Sequence, residues 1–521
     1  MAEARVGSDA KAAFAFGMLL IVVAALVDVG AVGWLVAPIA IGSLGYAIAR
    51  APLRHSMLVL MFFAVTLENP SESPAQGLWH SPFYSVGALL LTHLNNMTGV
   101  RPLVFSGIDI FFVILIFTAL SRKLTRSKID RGPPTPRPMI RLALLSLGGA
   151  AFAWMLGMLR GGEMRWALWQ LEKVVYLPIV FLLFSAGIRG QKDHIAVAKV
   201  LLAAATVRAC AAIYIWSTVV PPIDPITGHA ELEYATTHHD SMLFAIAFAL
   251  LLSLILERAE RKYIRLSLLL MPILIAGMIV NSRRMVWVQV AGVFLTLYLS
   301  TPDNPFKKKA RRVLLVLSPG IAAYIAAGWN KTTSGAFAPV QTIRSVVEPA
   351  TDASSLWREM ENYNIMFTMK QFPFIGTGYG HGFWEIIPLP MINYELERYL
   401  PHNSILALVC FTGYLGFTAI TLMWAAGVYF SMRAYHAAVR PIDRTAALMG
   451  VGAVLVYLVQ CWGDMGLGAW TGVFTVAPAL AVGCKLAVAT GAWPIKRKRP
   501  AHTAAADSAP AANDGAFARP G

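Results

Sequence analysis

The chain has 521 residues, of which 57% are hydrophobic and 14% are charged, and its net charge is +16. Soluble globular domains carry roughly 25% charged residues, so the composition excludes an ordinary soluble protein. It predicts an all-α polytopic membrane protein, in which apolar runs of about 20 residues span the hydrocarbon core. Because Lys and Arg in such chains mark cytoplasmic loops and headgroup contacts, the charge does not indicate nucleic acid, and membrane lipids are expected partners.

The first 328 residues form the predicted N-terminal transmembrane bundle. Apolar runs at about 13–29 and 32–49 predict two spans, and a third begins near His55 and ends at Leu67. A segment rich in Pro and Ser follows, so we expect residues from about 68 to 104 to be external. The apolar run at 83–94 within it is too short for a full span and predicts an interfacial or re-entrant piece.

The basic, proline-rich loop at about 122–139 fixes the predicted topology. It follows a span at about 105–121 and carries six Lys and Arg residues, which is typical of cytoplasmic loops. From there the predicted spans alternate at about 140–159, 166–188, 195–218, 241–256, 263–280, 285–300 and 313–328. The long segment 329–403 therefore falls outside the cytoplasmic membrane, in the periplasm of a Gram-negative envelope.

The C-terminal part shows the same pattern of apolar spans followed by a basic segment. Residues 404–489 contain three further predicted spans, at about 404–431, 445–461 and 470–489, which brings the total to about 12–14 transmembrane helices. Four consecutive basic residues at 496–499 anchor the tail, residues 490–521, in the cytoplasm. Beyond residue 500 the tail is rich in Ala and Pro, and we expect it to be disordered.

The long external segment is the candidate catalytic loop. Apolar residues at helical spacing over 357–367 predict an amphipathic helix along the membrane face, and Phe372-Pro373 ends it. Arg344 and Arg358 are candidate anion-binding residues in this segment.

A glycine-rich turn follows, with the sequence Gly376-Thr377-Gly378-Tyr379-Gly380-His381-Gly382. The backbone of such a turn can approach a ligand closely, but a glycine-rich turn is more often an ordinary flexible connector. It lacks the Lys-Ser/Thr of a P-loop, and no strand precedes it as in a dinucleotide fold. Gly376, Gly378 and Gly380 are therefore candidates for positioning the loop, and His381 is an accessory candidate.

His402-Asn403 stands where the external segment enters the next span. An imidazole that titrates near neutrality can take a proton from an attacking hydroxyl, so His402 is the candidate general base. The alternative is a satisfied polar group at the membrane interface. Asn403 is expected to position the loop.

Three arginines at or within the spans are candidate anion-binding groups. Arg283 and Arg284 begin a span at its external end, where a guanidinium suits a diphosphate. Arginines at such a position also commonly extend to lipid headgroups. Arg208 lies well inside an apolar segment, where a charge is costly and marks a functional candidate.

Other polar residues of the external face are accessory candidates. His239 belongs to the run His238-His239-Asp240; two adjacent histidines point in different directions on a helix, so we favour a polar interface over a metal site. Asp464 is also predicted to be external. Glu172 and Lys173 are expected to pair with each other. No metal or other cofactor is predicted.

Several of these features resemble one known family. The long external segment, the glycine turn after Pro373, and His402-Asn403-x-x-Leu406 leading to Gly413-x-x-Gly416 are similar to the O-antigen ligase and O-antigen polymerase superfamily of bacterial envelopes. Ser282-Arg283 at the start of a span resembles the Ser-Arg element of that family. Arg358 stands where the family carries a loop arginine. The detailed resemblance covers about residues 280–420, and the remainder is similar only in topology.

The resemblance implies a metal-independent, inverting glycosyltransferase in the bacterial inner membrane. The implied donor is a glycan on undecaprenyl diphosphate. Arg283 or Arg284, with Arg358 and Arg208, would bind the diphosphate and stabilise the leaving charge, and His402 would activate or orient the acceptor hydroxyl.

The acceptor separates two alternatives. A polymerase of surface polysaccharide, O-antigen or exopolysaccharide, would use another lipid-linked repeat unit and could require a chain-length regulator as partner. A ligase would use lipid A-core, or a protein. The chain departs from the family at Asn362, where Trp is common, and in the external segment near 68–104. The resemblance therefore indicates the type of reaction more strongly than the identity of the acceptor. A hypothesis of another class is a transporter or flippase for a lipid-linked glycan, which predicts midplane ionisable residues and internal symmetry.

Overall fold

The computed structural model is an all-α, multi-pass membrane fold. It describes residues 42–43, 45–67, 79, 81, 83–93, 105–125, 129–130, 132–219, 234–303, 305–331, 337, 340, 343–344, 348, 353–389 and 398–494. Over these ranges the regular structure is helical, and the β-pairing consists of one isolated bridge between His93 and Ser106. The predicted fold class is confirmed.

Fourteen α-helices are described, and we label them in chain order. They are α1 (Leu53–Thr66), α2 (Tyr84–Leu91), α3 (Gly107–Leu124), α4 (Arg137–Leu159), α5 (Met164–Gly187), α6 (Gln191–Thr218), α7 (His239–Leu256), α8 (Arg261–Val280), α9 (Arg284–Ser300), α10 (Pro305–Gly328), α11 (Ala353–Gln371), α12 (Ser404–Ala437), α13 (Pro441–Gly463) and α14 (Trp470–Ala489). A 3₁₀ turn, Gly466–Gly468, joins α13 to α14.

Nine of the described helices are long and apolar enough to cross a membrane, namely α4 to α8, α10 and α12 to α14. The apolar helices α1 and α9 are shorter. The ends of the described spanning helices lie within six residues of the predicted ones, except that α10 begins at Pro305 instead of about residue 313. The basic cluster before its apolar part continues the helix, because Lys and Arg are good helix formers.

Helices α7 and α14 form the centre of the bundle. Their apolar windows are 78% and 83% buried within the protein. Helix α7 packs against α8, α9 and α13, while α14 packs against α5, α12 and α13. The apolar window of α10 has no buried residues, so in a bilayer its apolar side chains are left to contact lipid.

The basic loop between α3 and α4 is tied to the start of α1. Arg122 contacts Asp130 at 2.5 Å, between Nη1 and Oδ2, and its other terminal nitrogen donates to the carbonyls of Ala49 and Ala51, both at 2.7 Å. The second carboxylate oxygen of Asp130 accepts from the backbone N–H of Leu53 at 3.0 Å. These contacts hold this end of the bundle, which the charge pattern predicts to be cytoplasmic.

Some predictions fall on parts of the chain beyond the described ranges. These are the span at about 13–29, most of the span at 32–49, most of the external segment 68–104 and the tail after residue 494. Within the external segment, α2 is a helix of eight residues, which agrees with a piece too short to span a bilayer.

Candidate functional site

A cavity of about 470 Å³ lies at the predicted external end of the bundle. Helix α5, the first residues of α7, helix α11, the start of α12 and the α13–α14 connection enclose it. Aromatic side chains supply much of its wall. The polar residues that line it are Gln170, Lys173, Thr237, His238, His239, Glu361, His402 and Ser404. A cavity of this size with a few convergent polar groups is typical of a ligand-binding site.

His402 lies on the cavity wall against a buried carboxylate. Its Nδ1 is 3.3 Å from Oε1 of Glu361, and its backbone N–H donates to both carboxylate oxygens at 3.1 and 3.2 Å. The Glu361 side chain is 1% exposed, whereas that of His402 is 22% exposed. The Nδ1 contact is slightly long for a hydrogen bond, as catalytic pairs often are before substrate binds.

Helix α11 fixes this pair. The indole of Trp357 meets the His402 imidazole edge to face, with ring centroids 4.5 Å apart. Trp357 and Glu361 are four residues apart and therefore share one face of the helix. A carboxylate at Glu361 can only accept, so this contact favours the tautomer with the proton on Nδ1 and the lone pair on Nε2. The predicted amphipathic helix is confirmed, and it delivers a partner for His402 that the sequence did not single out.

Asn403 has a structural role. Its side-chain oxygen accepts from the backbone N–H of Leu406 at 3.1 Å and caps the N-terminus of α12. Asparagine is among the preferred N-cap residues because it satisfies a helix donor that has no partner inside the helix. By capping α12, Asn403 fixes the backbone next to His402 and so helps to place the His402 side chain against Glu361.

The glycine turn is packed between two transmembrane helices. Gly376, Gly378 and Gly380 all adopt positive φ values, 71°, 87° and 93°, which favour glycine. A Cβ on Gly378 would lie 2.3 Å from the backbone N and Cα of Gly157 in α4, and one on Gly376 would lie 2.4 Å from the carbonyl of Phe411. The turn is therefore an ordered structural element and not a flexible connector.

Helix α12 is interrupted where this turn meets it. Gly413 has φ 63° and ψ 178°, which breaks the helix. The carbonyls of Cys410 and Phe411, which the break frees, accept from the backbone N–H groups of Thr377 and Gly378 at 3.0 and 2.9 Å. Irregular backbone inside a membrane protein requires such internal partners. The expectation of one continuous helix through Gly413 was wrong, because the turn replaces the helical hydrogen bonds.

Gln170 of α5 ties the end of the turn to the segment before His402. Its amide nitrogen donates to the carbonyls of His381 and Tyr399 at 2.9 and 3.0 Å, and its oxygen accepts from Gly380 N–H at 2.6 Å. All three contacts are to backbone groups. The His381 ring lies 3.2 Å from the carbonyl of Gly157, so this histidine supports the turn.

Arg208 forms a buried ion pair with Asp240. Its Nε lies 3.0 and 3.1 Å from the two carboxylate oxygens, and its Nη2 lies 2.5 Å from Oδ2. Both residues line a smaller cavity of about 50 Å³ that shares Lys173 and His239 with the large one. Because Asp240 already neutralises the guanidinium, Arg208 is a weaker diphosphate candidate than its intramembrane position suggested.

Arg283 and Arg284 are not among the described residues that line the large cavity. The Arg283 guanidinium lies over the Tyr234 ring, 3.3 Å from its centroid. Next to it, Asn281 accepts from the backbone N–H and the hydroxyl of Thr236 at 3.1 and 3.0 Å. The turn at residues 281–283 therefore holds residues 234–237, the segment that leads directly into the cavity-lining His238 and His239.

Arg358 and Arg344 differ in their surroundings. Arg358 lies one turn before Glu361 on α11, and its Nε is buried without a hydrogen-bond partner among the described residues. Arg344 contacts Glu348 at 2.8 Å and the carbonyl of Trp329 at 3.0 Å. The hydrogen bonds that Glu348 accepts from Arg344 and from the indole N–H of Trp329 lower the pKa of its carboxyl. Arg358 therefore lies near the cavity without being one of its described lining residues, while Arg344 organises its own segment.

His238 and His239 both line the large cavity, with ring centroids 4.0 Å apart. The expectation that their side chains diverge was wrong, because α7 begins at His239 and His238 precedes the helix. His238 Nε2 lies 3.9 Å from Asp464 Oδ1 at the end of α13. Within the described ranges, no three His, Cys, Asp or Glu side chains converge as metal ligands would.

Lys173 and Tyr379 are two cavity residues whose importance the sequence did not reveal. Lys173 lines the large cavity. It pairs with Glu172 at 2.5 Å, as predicted, and its ammonium also lies 4.9 Å from the Trp470 ring centroid. Burial raises the pKa of the Tyr379 phenol, and the hydroxyl has no hydrogen-bond partner in the described part of the chain. Both groups are placed to contact a polar ligand.

Comparison with known families finds no family model that matches the chain, and no curated protein matches it in sequence. The relation to O-antigen ligases and polymerases therefore remains a prediction from the motifs.

Proposed function

We propose that the protein is a membrane glycosyltransferase that moves a glycan from undecaprenyl diphosphate to an acceptor hydroxyl on the periplasmic side of the bacterial inner membrane. The observation that supports this most is His402 on the wall of a 470 Å³ cavity with its Nδ1 against the buried Glu361. An imidazole held by a carboxylate is a common arrangement for a general base.

In the proposed step, Nε2 of His402 takes the proton of the acceptor hydroxyl as its oxygen attacks the anomeric carbon. The bond from that carbon to the diphosphate oxygen breaks, and undecaprenyl diphosphate leaves with the bonding electrons. A single displacement of this kind inverts the anomeric centre. Glu361 keeps the proton on Nδ1 and stabilises the imidazolium that forms.

The donor's diphosphate needs cationic or hydrogen-bonding partners as negative charge develops. Lys173 supplies a positive charge on the cavity wall. Arg358 lies one turn from Glu361, and its Nε is buried without a hydrogen-bond partner among the described residues, but it does not line the cavity, so we place it second to Lys173. We assign Lys173 to the donor ahead of Arg208 because Lys173 lines the large cavity and Arg208 does not; both are ion-paired, with Glu172 and Asp240 respectively.

For the acceptor, we propose another lipid-linked repeat unit, which makes the protein a surface-polysaccharide polymerase. The test is a null strain complemented with wild type, His402→Ala or Glu361→Gln. Surface glycan is resolved by chain length, and lipid-linked donor is quantified. Loss of a general base lowers the rate by about 10²–10⁴-fold, so His402→Ala should abolish long chains and accumulate single lipid-linked units.

His436→Ala is the matched control, because this histidine is exposed near the opposite end of α12. It should behave as wild type. If the null strain instead carries long chains that remain on the lipid carrier, the protein is a ligase. Wild-type glycan from the His402→Ala strain would contradict the catalytic assignment.

A further inference from the structure

A second cleft opens at the other end of the bundle, which the charge pattern predicts to be cytoplasmic. About 90 Å³ lies between α1, α6, α7, α8, α13 and α14, and this cleft shares no lining residue with the large cavity. Its walls are mostly apolar, and they include Met61, Leu202, Ile246, Leu250, Met449 and Val482. Such a surface suits a hydrocarbon chain.

Two buried polar side chains interrupt this apolar lining. His194 is 6% exposed, and both of its ring nitrogens are buried without a hydrogen-bond partner in the described part of the chain. Thr445 is 1% exposed, and its hydroxyl is likewise buried and unpartnered within the described ranges. Both residues line the cleft. Because unmet polar groups are costly inside a bilayer, a ligand that bonds to them would be favoured.

The charge beside the cleft is positive. Lys199 lines it and is exposed. Asp443 also lines it, but its carboxylate is paired with Arg440 at 2.7 Å. Arg440 also donates to Gln191, another lining residue, at 2.7 Å. Counting Lys199, Arg440 and Asp443 together, one positive charge remains for an anion.

We propose that this cleft binds one anionic glycerophospholipid of the cytoplasmic leaflet. An acyl chain lies along the apolar wall, the phosphate pairs with Lys199, and His194 and Thr445 hydrogen-bond to headgroup or ester oxygens. Basic pockets between helices at the cytoplasmic side are suited to anionic headgroups. The proposal does not depend on the glycan-transfer chemistry.

The test uses the purified full chain, incubated with phosphatidylglycerol and phosphatidylcholine of identical acyl chains, with retained lipid measured by native mass spectrometry. We expect wild type to prefer phosphatidylglycerol by roughly tenfold, the effect of one charge-assisted contact. Lys199→Gln should remove most of this preference, and His194→Leu should lower retention of both lipids. Lys123→Gln is the control, because Lys123 is an exposed lysine at the end of α3 outside the cleft.

Equal retention of the two lipids by wild type would overturn the proposal, and this result needs no variant to fold. It would also be overturned if His194→Leu and Lys199→Gln both retained phosphatidylglycerol as Lys123→Gln does. A loss confined to Lys199→Gln, with His194→Leu unchanged, would place the lipid at the protein surface and not in the cleft.

Discussion

Replacing Gly378 by alanine tests whether the glycine turn is a packed element of the site. Gly378 has φ 87°, and an added Cβ would lie 2.3 Å from two backbone atoms of Gly157. The left-handed conformation costs about 1–2 kcal/mol for a residue with a Cβ. Forcing a methyl group into a packed interface adds about 1–3 kcal/mol. We therefore expect the free energy of unfolding to fall by about 2–5 kcal/mol.

Gly161→Ala is a matched control in the neighbouring α4–α5 turn. Gly161 has φ 83°, but nothing lies within 4 Å of an added Cβ. The free energy of unfolding of Gly161→Ala should fall only by the cost of the left-handed conformation, about 1–2 kcal/mol. Replacing glycine also lowers the entropy of the unfolded chain, but this gain is the same for both variants. The measurement is equilibrium unfolding of the full chain in mixed micelles with increasing denaturing detergent. Equal stability of the two variants would refute the packing described for this turn.

Substitutions that begin at three other residues, Arg208, Tyr379 and Asn403, test individual contacts. Arg208→Met alone should lower the free energy of unfolding by about 3–5 kcal/mol, because it leaves the Asp240 carboxylate buried without its partner, whereas adding Asp240→Leu should recover most of that loss. Tyr379→Phe should leave unfolding unchanged, since its hydroxyl has no partner in the described structure, but should slow glycan transfer by about two- to tenfold if substrate uses it; an unchanged rate would exclude that contact. Asn403→Ala should cost about 1 kcal/mol through loss of the helix cap, while Asn403→Ser keeps an uncharged oxygen acceptor for Leu406 N–H and should recover most of that loss.

The sequence predicts the membrane helices well, because burial in lipid requires long apolar runs whose ends are visible as charges and prolines. The bounds of α5, α7, α9 and α14 lie within two residues of the predicted ones. The sequence also predicts that His402 stands at the start of α12 and makes it the candidate general base. These features depend on local composition, which one sequence contains.

The partner of His402 and the break in α12 depend on contacts between segments that are far apart in the sequence. Glu361 lies among several polar residues of an amphipathic helix, and only its approach to His402, 41 residues away, distinguishes it. The break at Gly413 is equally invisible, since the surrounding apolar run reads as one helix. A glycine-rich sequence indicates positive φ values, but it does not identify the distant backbone that packs against the glycines.

The interruption of α12 also bears on how the protein is made. The carbonyls freed at Cys410 and Phe411 accept from the backbone N–H groups of residues 377 and 378, which precede α12 in the chain. The backbone N–H of Tyr379, the residue after these two, donates to the carbonyl of Ala153 in α4 at 3.1 Å. During membrane insertion, α12 therefore cannot complete its main-chain hydrogen bonding until the preceding segment has met the α4–α5 hairpin. The cavity lined by His402 is consequently completed late in biogenesis, and a chain whose glycine turn failed to reach α4 and α12 would contain the helices but lack this cavity.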